Sequence, residues 1–299
     1  MVFAKLIDFD FLRHRRLSVG VAAVAVLLAL VEGVNALVAP ACAPGDEDWR
    51  AAATKVRGGF RPGDLIVAAP AWADPVMRLK LGDLVPMSVA GRMDAGRFGR
   101  VWEISQRGAR AAETEGARLA SSSRNGALWV KLWEKPAARV VFDFFAEWQK
   151  ANLSVATADR GEMPCWIAQG RFECGEGTSL GPELLEIDTT LRNGLAVEPH
   201  ERTTTILEYA DVGLGRELVV AAGLHNVWLR KSGDGKVHMR VLADGRELGS
   251  VDATSLSGWA LHRFDTSALT GRKGTVRFEI TTDKAHARHF GFAAEARSP

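Results

Sequence analysis

Apolar residues run almost without a break from Leu17 to Leu37, directly behind Arg13-His14-Arg15-Arg16. About 20 such residues cross a bilayer as a helix, and a basic flank before them favours a cytoplasmic N-terminus. The pattern predicts a cytoplasmic stretch over 1–16, a single transmembrane anchor over 17–39, and an extracytoplasmic remainder at the cell membrane. Two processing routes compete with a retained anchor. Ala39-Pro40-Ala41 imitates a signal-peptide cleavage site, and the purest apolar stretch is only Leu17–Val31; the long N-terminal region and the continuation through Val34–Val38 favour retention. A lipoprotein cysteine at Cys42 wants an aliphatic residue where Ala39 stands. Glu32 interrupts the run, and a carboxylate there faces protein, water or headgroups rather than lipid. It marks a contact with a membrane-protein partner, and Gly20, Gly33 and the intervening alanines would let helices pack closely.

Beyond the membrane the periodicity changes twice. Asp46-Glu47-Asp48 charge the start of a helix running to Val56, which Gly58-Gly59 ends. Leu65–Ala69 is a short apolar strand of the buried parallel type. A second helix is predicted around Pro75–Leu81, strands over Val85–Ala90 and Arg100–Ser105, a surface helix over Ala109–Leu119, and a loop over Ser121–Gly126. These make a small α/β domain over 45–138. Arg139–Phe145 reads as helix or strand. Further on, alternation of period two dominates: Glu217–Arg230, Lys236–Val241, Arg246–Val251 after the hairpin dipeptide Asp244-Gly245, Thr275–Thr281 and His289–Glu295. That predicts an antiparallel β-sandwich over 139–299.

Composition narrows the function little. Charges of 38 basic and 36 acidic residues leave +2, which gives no electrostatic case for nucleic acid. Cys165 and Cys174 flank Gln169-Gly170-Arg171, a turn that would bring the thiols together, and an oxidising compartment would join them as a disulfide. Two buried free thiols are the alternative. No Walker, Rossmann, nucleophile-elbow or H-E-x-x-H spacing occurs, so no cofactor and no metal are expected.

Residues 160–299 resemble jelly-roll modules of the galactose-binding or carbohydrate-binding kind. The resemblance is carried by Leu218-Val219-Val220, the Val237–Val251 hairpin, Gly258-Trp259 and Arg277–Ile280 with Phe290-Gly291-Phe292. It implies sugar binding through exposed aromatics and polar loops, and a structural calcium for which no ligand set stands at fixed spacing. Trp49–Trp102 is similar to extracytoplasmic stretches of mannosyltransferase-type membrane glycosyltransferases, in the helix followed by Pro62-Gly63-Asp64 and an apolar strand. The transmembrane catalytic region of that family is missing, so the resemblance implies an accessory piece of envelope or glycan machinery.

Ligands of open α/β sheets sit outside the carboxyl ends of the strands. Trp72, Asp74 and Arg78 follow the first strand, while Arg92 and Asp94 follow Ser88–Ala90. Together they offer a stacking face with carboxylates and guanidinium groups for sugar hydroxyls. Their structural alternatives are plain: Trp72 over the sheet edge, Asp74 as a helix cap, the arginines in solvent. Trp228 and Trp259 are the aromatic candidates of the sandwich, Trp228 as core and Trp259 as an exposed ligand contact. The chain thus reads as an anchored envelope protein that binds a glycan or an envelope partner and performs no catalysis. Two alternatives remain: a glycan-processing or hydrolytic enzyme near Trp72–Asp94, with Asp74 and Asp94 as its acid and base, and a structural subunit of a membrane complex.

Overall fold

The computed structural model describes residues 21–34, 36, 43–174, 177–225, 235–254, 257–284 and 289–298. A helix covers 21–34 and position 36, with its valines and leucines exposed. Among the described residues no helix is long and apolar enough to cross a membrane. At 1.5 Å per residue the stretch 21–34 rises about 20 Å, short of the ~30 Å hydrocarbon core. The transmembrane expectation therefore lacks support from the described part, and its ends, 17–20 and 37–39, lie outside it, as do Cys42 and Trp228.

Helix α1 (Asp46–Gly59) packs on a four-stranded sheet in the order β1-β2-β4-β3. Strands β1 (Leu65–Ala69) and β2 (Arg100–Gln106) are parallel, whereas β4 (Leu128–Glu134) and β3 (Arg118–Asn125) return antiparallel. Trp49, Ala52 and Val56 of α1 meet Met77 and Leu81 of α2 (Asp74–Leu81) and Ile66, Trp102 and Ile104 of the sheet. Trp102 also donates its indole N–H to Asp64 at 2.8 Å, so the buried ring keeps a partner.

Three expectations fail in this layer. Val85–Ala90 is not a strand; Pro86 starts a single helical turn, α3 (Met87–Ala90), in which the Val89 and Ala90 N–H groups donate to its carbonyl at 2.9 Å. Ala109–Leu119 is not a helix. The Glu103 carboxylate takes the Ala111 N–H at 2.9 Å, Arg110 lies over the Trp133 ring at 4.5 Å, and Gly116 turns at φ +70°. These contacts with β2 and β4 hold the segment in an irregular path instead of a helix. Nor is Ser121–Gly126 a loop: the serines belong to exposed edge strand β3, which pairs along one side with β4.

The rest is a sandwich of two large sheets. One runs β16 (Ala260–Asp265), β13 (Glu217–Leu224), β18 (Phe290–Ser298), β11 (Thr190–Val197), β10 (Ser179–Ile187), β9 (Arg171–Glu173) and β8 (Trp166–Ala168), with β5 (Arg139–Asp143) also on β18; the other runs β15 (Arg246–Ala253), β14 (Val237–Ala243), β17 (Lys273–Thr282), β12 (Thr203–Gly213), β6 (Asn152–Thr157) and β7 (Gly161–Pro164). Period-two alternation turns one side of each sheet inward. Leu218, Val220, Phe290 and Phe292 face Leu207, Tyr209, Met239, Phe278 and Ile280 in one continuous core. Phe142, Phe144, Tyr209 and Phe278 stack edge to face, and the Tyr209 hydroxyl donates to the Phe144 carbonyl at 2.9 Å. Between β14 (Val237–Ala243) and β15 (Arg246–Ala253), Asp244 and Gly245 both take positive φ, +49° and +76°, the type I′ requirement. Cys165 and Cys174 are bonded across the β8 (Trp166–Ala168) and β9 (Arg171–Glu173) hairpin, with Cα atoms 4.5 Å apart.

Part of the outer face of the larger sheet is covered. Met93 packs on Val219, Ala221 and Ala293. The Asn193 N–H donates to the Gly91 carbonyl at 2.6 Å, and the Ala138 N–H to that of Gly96 at 2.9 Å. Segment 91–97 thus lies on the sandwich as a strap.

Candidate functional site

Strand β18 (Phe290–Ser298) alternates Ala293, Glu295 and Arg297 toward this strap. Arg297 is 1% exposed. Its guanidinium donates to both oxygens of Asp94, at 2.7 and 2.9 Å, and to Glu295 at 2.7 Å. Arg97 closes the other side, on Glu295 and, at 3.0 Å, on Asp143. Burial raises the Asp94 carboxyl, but Arg297, the Gly96 N–H and Arg263 together hold it below its ordinary value. Burial likewise opposes the Arg297 charge, and Asp94 with Glu295 reverses that. Paired in this way, the charges survive where water is excluded.

Arg263 connects this seam to an open cleft. Its Nη1 donates to both oxygens of Glu217 at 2.9 Å, and its Nη2 stands 3.6 Å from Asp94. The cleft holds about 530 Å³ and is lined by Ala138, Arg216, Glu217, Arg263, Phe264, Asp265 and Ser298. Strand pairing builds it: Glu217 of β13 (Glu217–Leu224) lies directly opposite Asp265 of β16 (Ala260–Asp265). The Ser267 N–H and hydroxyl hold the Asp265 carboxyl below the usual range. The walls therefore bring two carboxylates, two guanidinium groups and a serine to one opening, while the Phe264 ring packs on the other side of β16 in the core.

The predicted site residues divide between two places. Arg92 and Asp94 belong to the strap and Trp259 packs beside it, but only Asp94 enters the charged seam. Arg92 pairs with Glu113 at 2.5 Å, and Trp259 packs beside Met93 with its indole N–H on the Thr190 carbonyl at 3.0 Å. Trp259 is half-buried, and the Arg192 guanidinium lies 5.5 Å from its ring centroid. One Arg192 nitrogen is buried with no hydrogen-bond partner, and burial lowers the pKa of both Arg192 and Lys135. Trp72, Asp74 and Arg78 belong to α2 and the turn before it. Asp74 pairs with Arg78 one helical turn on, and Trp72 projects into solvent. Among the described residues the two sets share no ion-pair partner. Glu32 is exposed on its helix.

Arg216, Glu217, Arg263 and Asp265 escaped the sequence reading. Each occupies a solvent-side position of an alternating strand or its end, where charge is ordinary; only the Glu217–Asp265 register brings them together. Among the described residues no group of three His, Cys, Asp or Glu side chains could hold a metal ion.

No protein-family profile matches the sequence, and no curated protein matches it. Solved structures with a similar arrangement include carbohydrate-binding modules of Clostridium perfringens. The CBM51 of its GH95, in complex with methyl-galactose, shows 11% identity and a TM-score of 0.27 over 60% of this chain and 94% of that one. The CBM51-2 and INT domains of its ZmpB show 9% identity and a TM-score of 0.28, over 66% of this chain and 32% of that one. The same region in complex with GlcNAc shows 12% identity and 0.29, over 64% and 43%. The chain thus spans less than half of the two longer structures, and at these TM-scores the likeness fixes neither family nor ligand. The glycosyltransferase resemblance of Trp49–Trp102 stands on the sequence alone.

Proposed function

We propose that this chain is a non-catalytic, membrane-anchored envelope protein that binds a neutral glycan in the cleft at Glu217, Arg263 and Asp265. The cleft itself carries the reading. Sugar hydroxyls donate to carboxylates and accept from guanidinium groups, and a concave site with a few convergent polar groups is the ordinary form of a small-ligand site. Arg216 and Arg263 balance Glu217 and Asp265, so the walls favour a neutral ligand over an ionic one. Binding is favoured over turnover because a glycosidic acid must be held protonated. Asp265 is instead held ionised, and Glu217 is clamped by both oxygens.

A glycan array probed with the full chain in detergent tests this, followed by titration of the strongest hit. Arg263→Ala and Asp265→Asn should each weaken that hit by about tenfold or more, with melting temperatures showing that both variants fold. An array without hits, or hits indifferent to both substitutions, overturns the reading.

A second reading, the membrane-complex subunit, is favoured by the helix over 21–34. Its exposed valines and leucines lie on every side, and such a helix requires lipid or protein around it. Glu32 would then face the neighbouring protein.

A further inference from the structure

Helix α2 buries one apolar face and leaves another bare. Met77 and Leu81 pack on α1 and the sheet. Trp72, in the turn leading into α2, with Val76 and Leu79 follows the i, i+4, i+7 spacing of a single helix face. Trp72 is 69% exposed and Leu79 78%. Scattered exposed apolar residues are ordinary; a Trp-led stripe at helical spacing is a contact surface in want of a partner.

The position of α2 says what that partner is. Lys80 Nζ holds Asp46, the first residue of α1, at 2.5 Å, and Arg57 of α1 donates to Asp83 at 2.6 Å and to the Lys80 carbonyl at 2.8 Å. The Arg57 bonds fasten the end of α2 to the far end of α1, while the Lys80–Asp46 pair alone ties it to the start of α1, where the chain arrives from the apolar helix. From position 36 to Asp46 the backbone reaches at most ~35 Å. Charges around the stripe are spent internally, Arg78 on Asp74 and Lys80 on Asp46. What remains is apolar, with the indole that favours the headgroup level.

We infer that the face formed by Trp72 and by Val76 and Leu79 of α2 rests on the headgroup–acyl boundary of the bilayer that holds the apolar segment. The inference depends on residues 17–39 being a membrane anchor. A short tether keeps the face at high effective concentration near the surface, so a weak contact suffices. Because the neighbouring charges are paired, the contact needs no anionic lipid.

The test uses the full chain with Cys42→Ser, unreduced, in phosphatidylcholine vesicles with and without brominated acyl chains. A polarity-sensitive dye is placed on Leu79→Cys, on Ala36→Cys or on Leu184→Cys. Quenching by brominated lipid at positions 79 and 36 but not 184, with the signal at 79 lost on adding Trp72→Ser, is the expected result. Quenching at 36 without quenching at 79 overturns the surface contact and leaves the anchor standing. Absence of quenching at 36 removes the anchor and the contact with it. Equal quenching at 184, or a signal at 79 that survives Trp72→Ser, also overturns the proposal.

Discussion

Asp94 and Arg297 stand 203 residues apart in sequence and meet in a two-point grip of 2.7 and 2.9 Å. Removing one partner of a buried pair leaves an uncompensated charge, which costs about 3–5 kcal/mol. Glu295 retains part of the Arg297 interaction, so Asp94→Asn should cost roughly 3 kcal/mol. Urea unfolding at pH 7 measures it, and a loss below about 1 kcal/mol would show that the grip is incidental.

The same pair sets an acid limit. The folded Asp94 pKa lies below its ordinary 3.8, so its contribution is complete above that value and lost as pH falls through the folded one. Stability of the native protein should therefore fall more steeply below about pH 4 than that of Asp94→Asn. Parallel acid titrations that superimpose would contradict this.

Residue 297 also explains two glycines. A Cβ at Gly215 would meet the Arg297 carbonyl at 1.9 Å, and one at Gly96 would meet its Nη1 at 2.4 Å. The first obstacle is backbone, the second the end of a pinned side chain. Both alanine variants should be destabilised by about 1–3 kcal/mol, Gly215→Ala more than Gly96→Ala. Thermal melts rank them.

The Cys165–Cys174 bond closes a short loop, with a sequence separation of 9. Loop-closure entropy gives it about 2–3 kcal/mol. Reduction should lower the melting temperature without abolishing folding, since Cys174 and Phe172 already pack in the main core. A melt indifferent to reductant counts against any stabilising role.

His262 has a buried Nε2 without a partner, and burial pushes its pKa below the ordinary 6.5. A depressed histidine supports stability above 6.5 and withdraws it as pH falls through the lower, folded value. Its ring resonances should titrate below pH 6.5; a midpoint at or above that value contradicts the burial.

Strands with strict alternation were legible, because period-two patterning and burial report the same physics. Val237–Val241, Asp244-Gly245 and Thr275–Thr281 show it, as does Leu65–Ala69 in the buried parallel form. Ala109–Leu119 has a composition that favours helix, but Glu103 and Trp133 hold it from neighbouring strands and Thr114 ties it to Ala111 and Arg110 from within. The site was half legible. Asp94 and Arg92 were visible as charges after an apolar stretch, but their partners Arg297 and Glu113 come from other elements. Glu217 and Asp265 had no local signal, since only strand register places them side by side.

Strand β18 occupies the middle of the larger sheet, bonded to β13, β11 and β5 along its length, and supplies Arg297 to the strap. A ribosome must therefore reach residue 298 before the sheet closes or the strap is fastened. Every shorter nascent chain carries a half-built sheet with open edges and a bare apolar face. Closure of the sheet and fastening of the strap are therefore late, non-local events in folding, and the intermediate that precedes them is the form of this protein most exposed to aggregation.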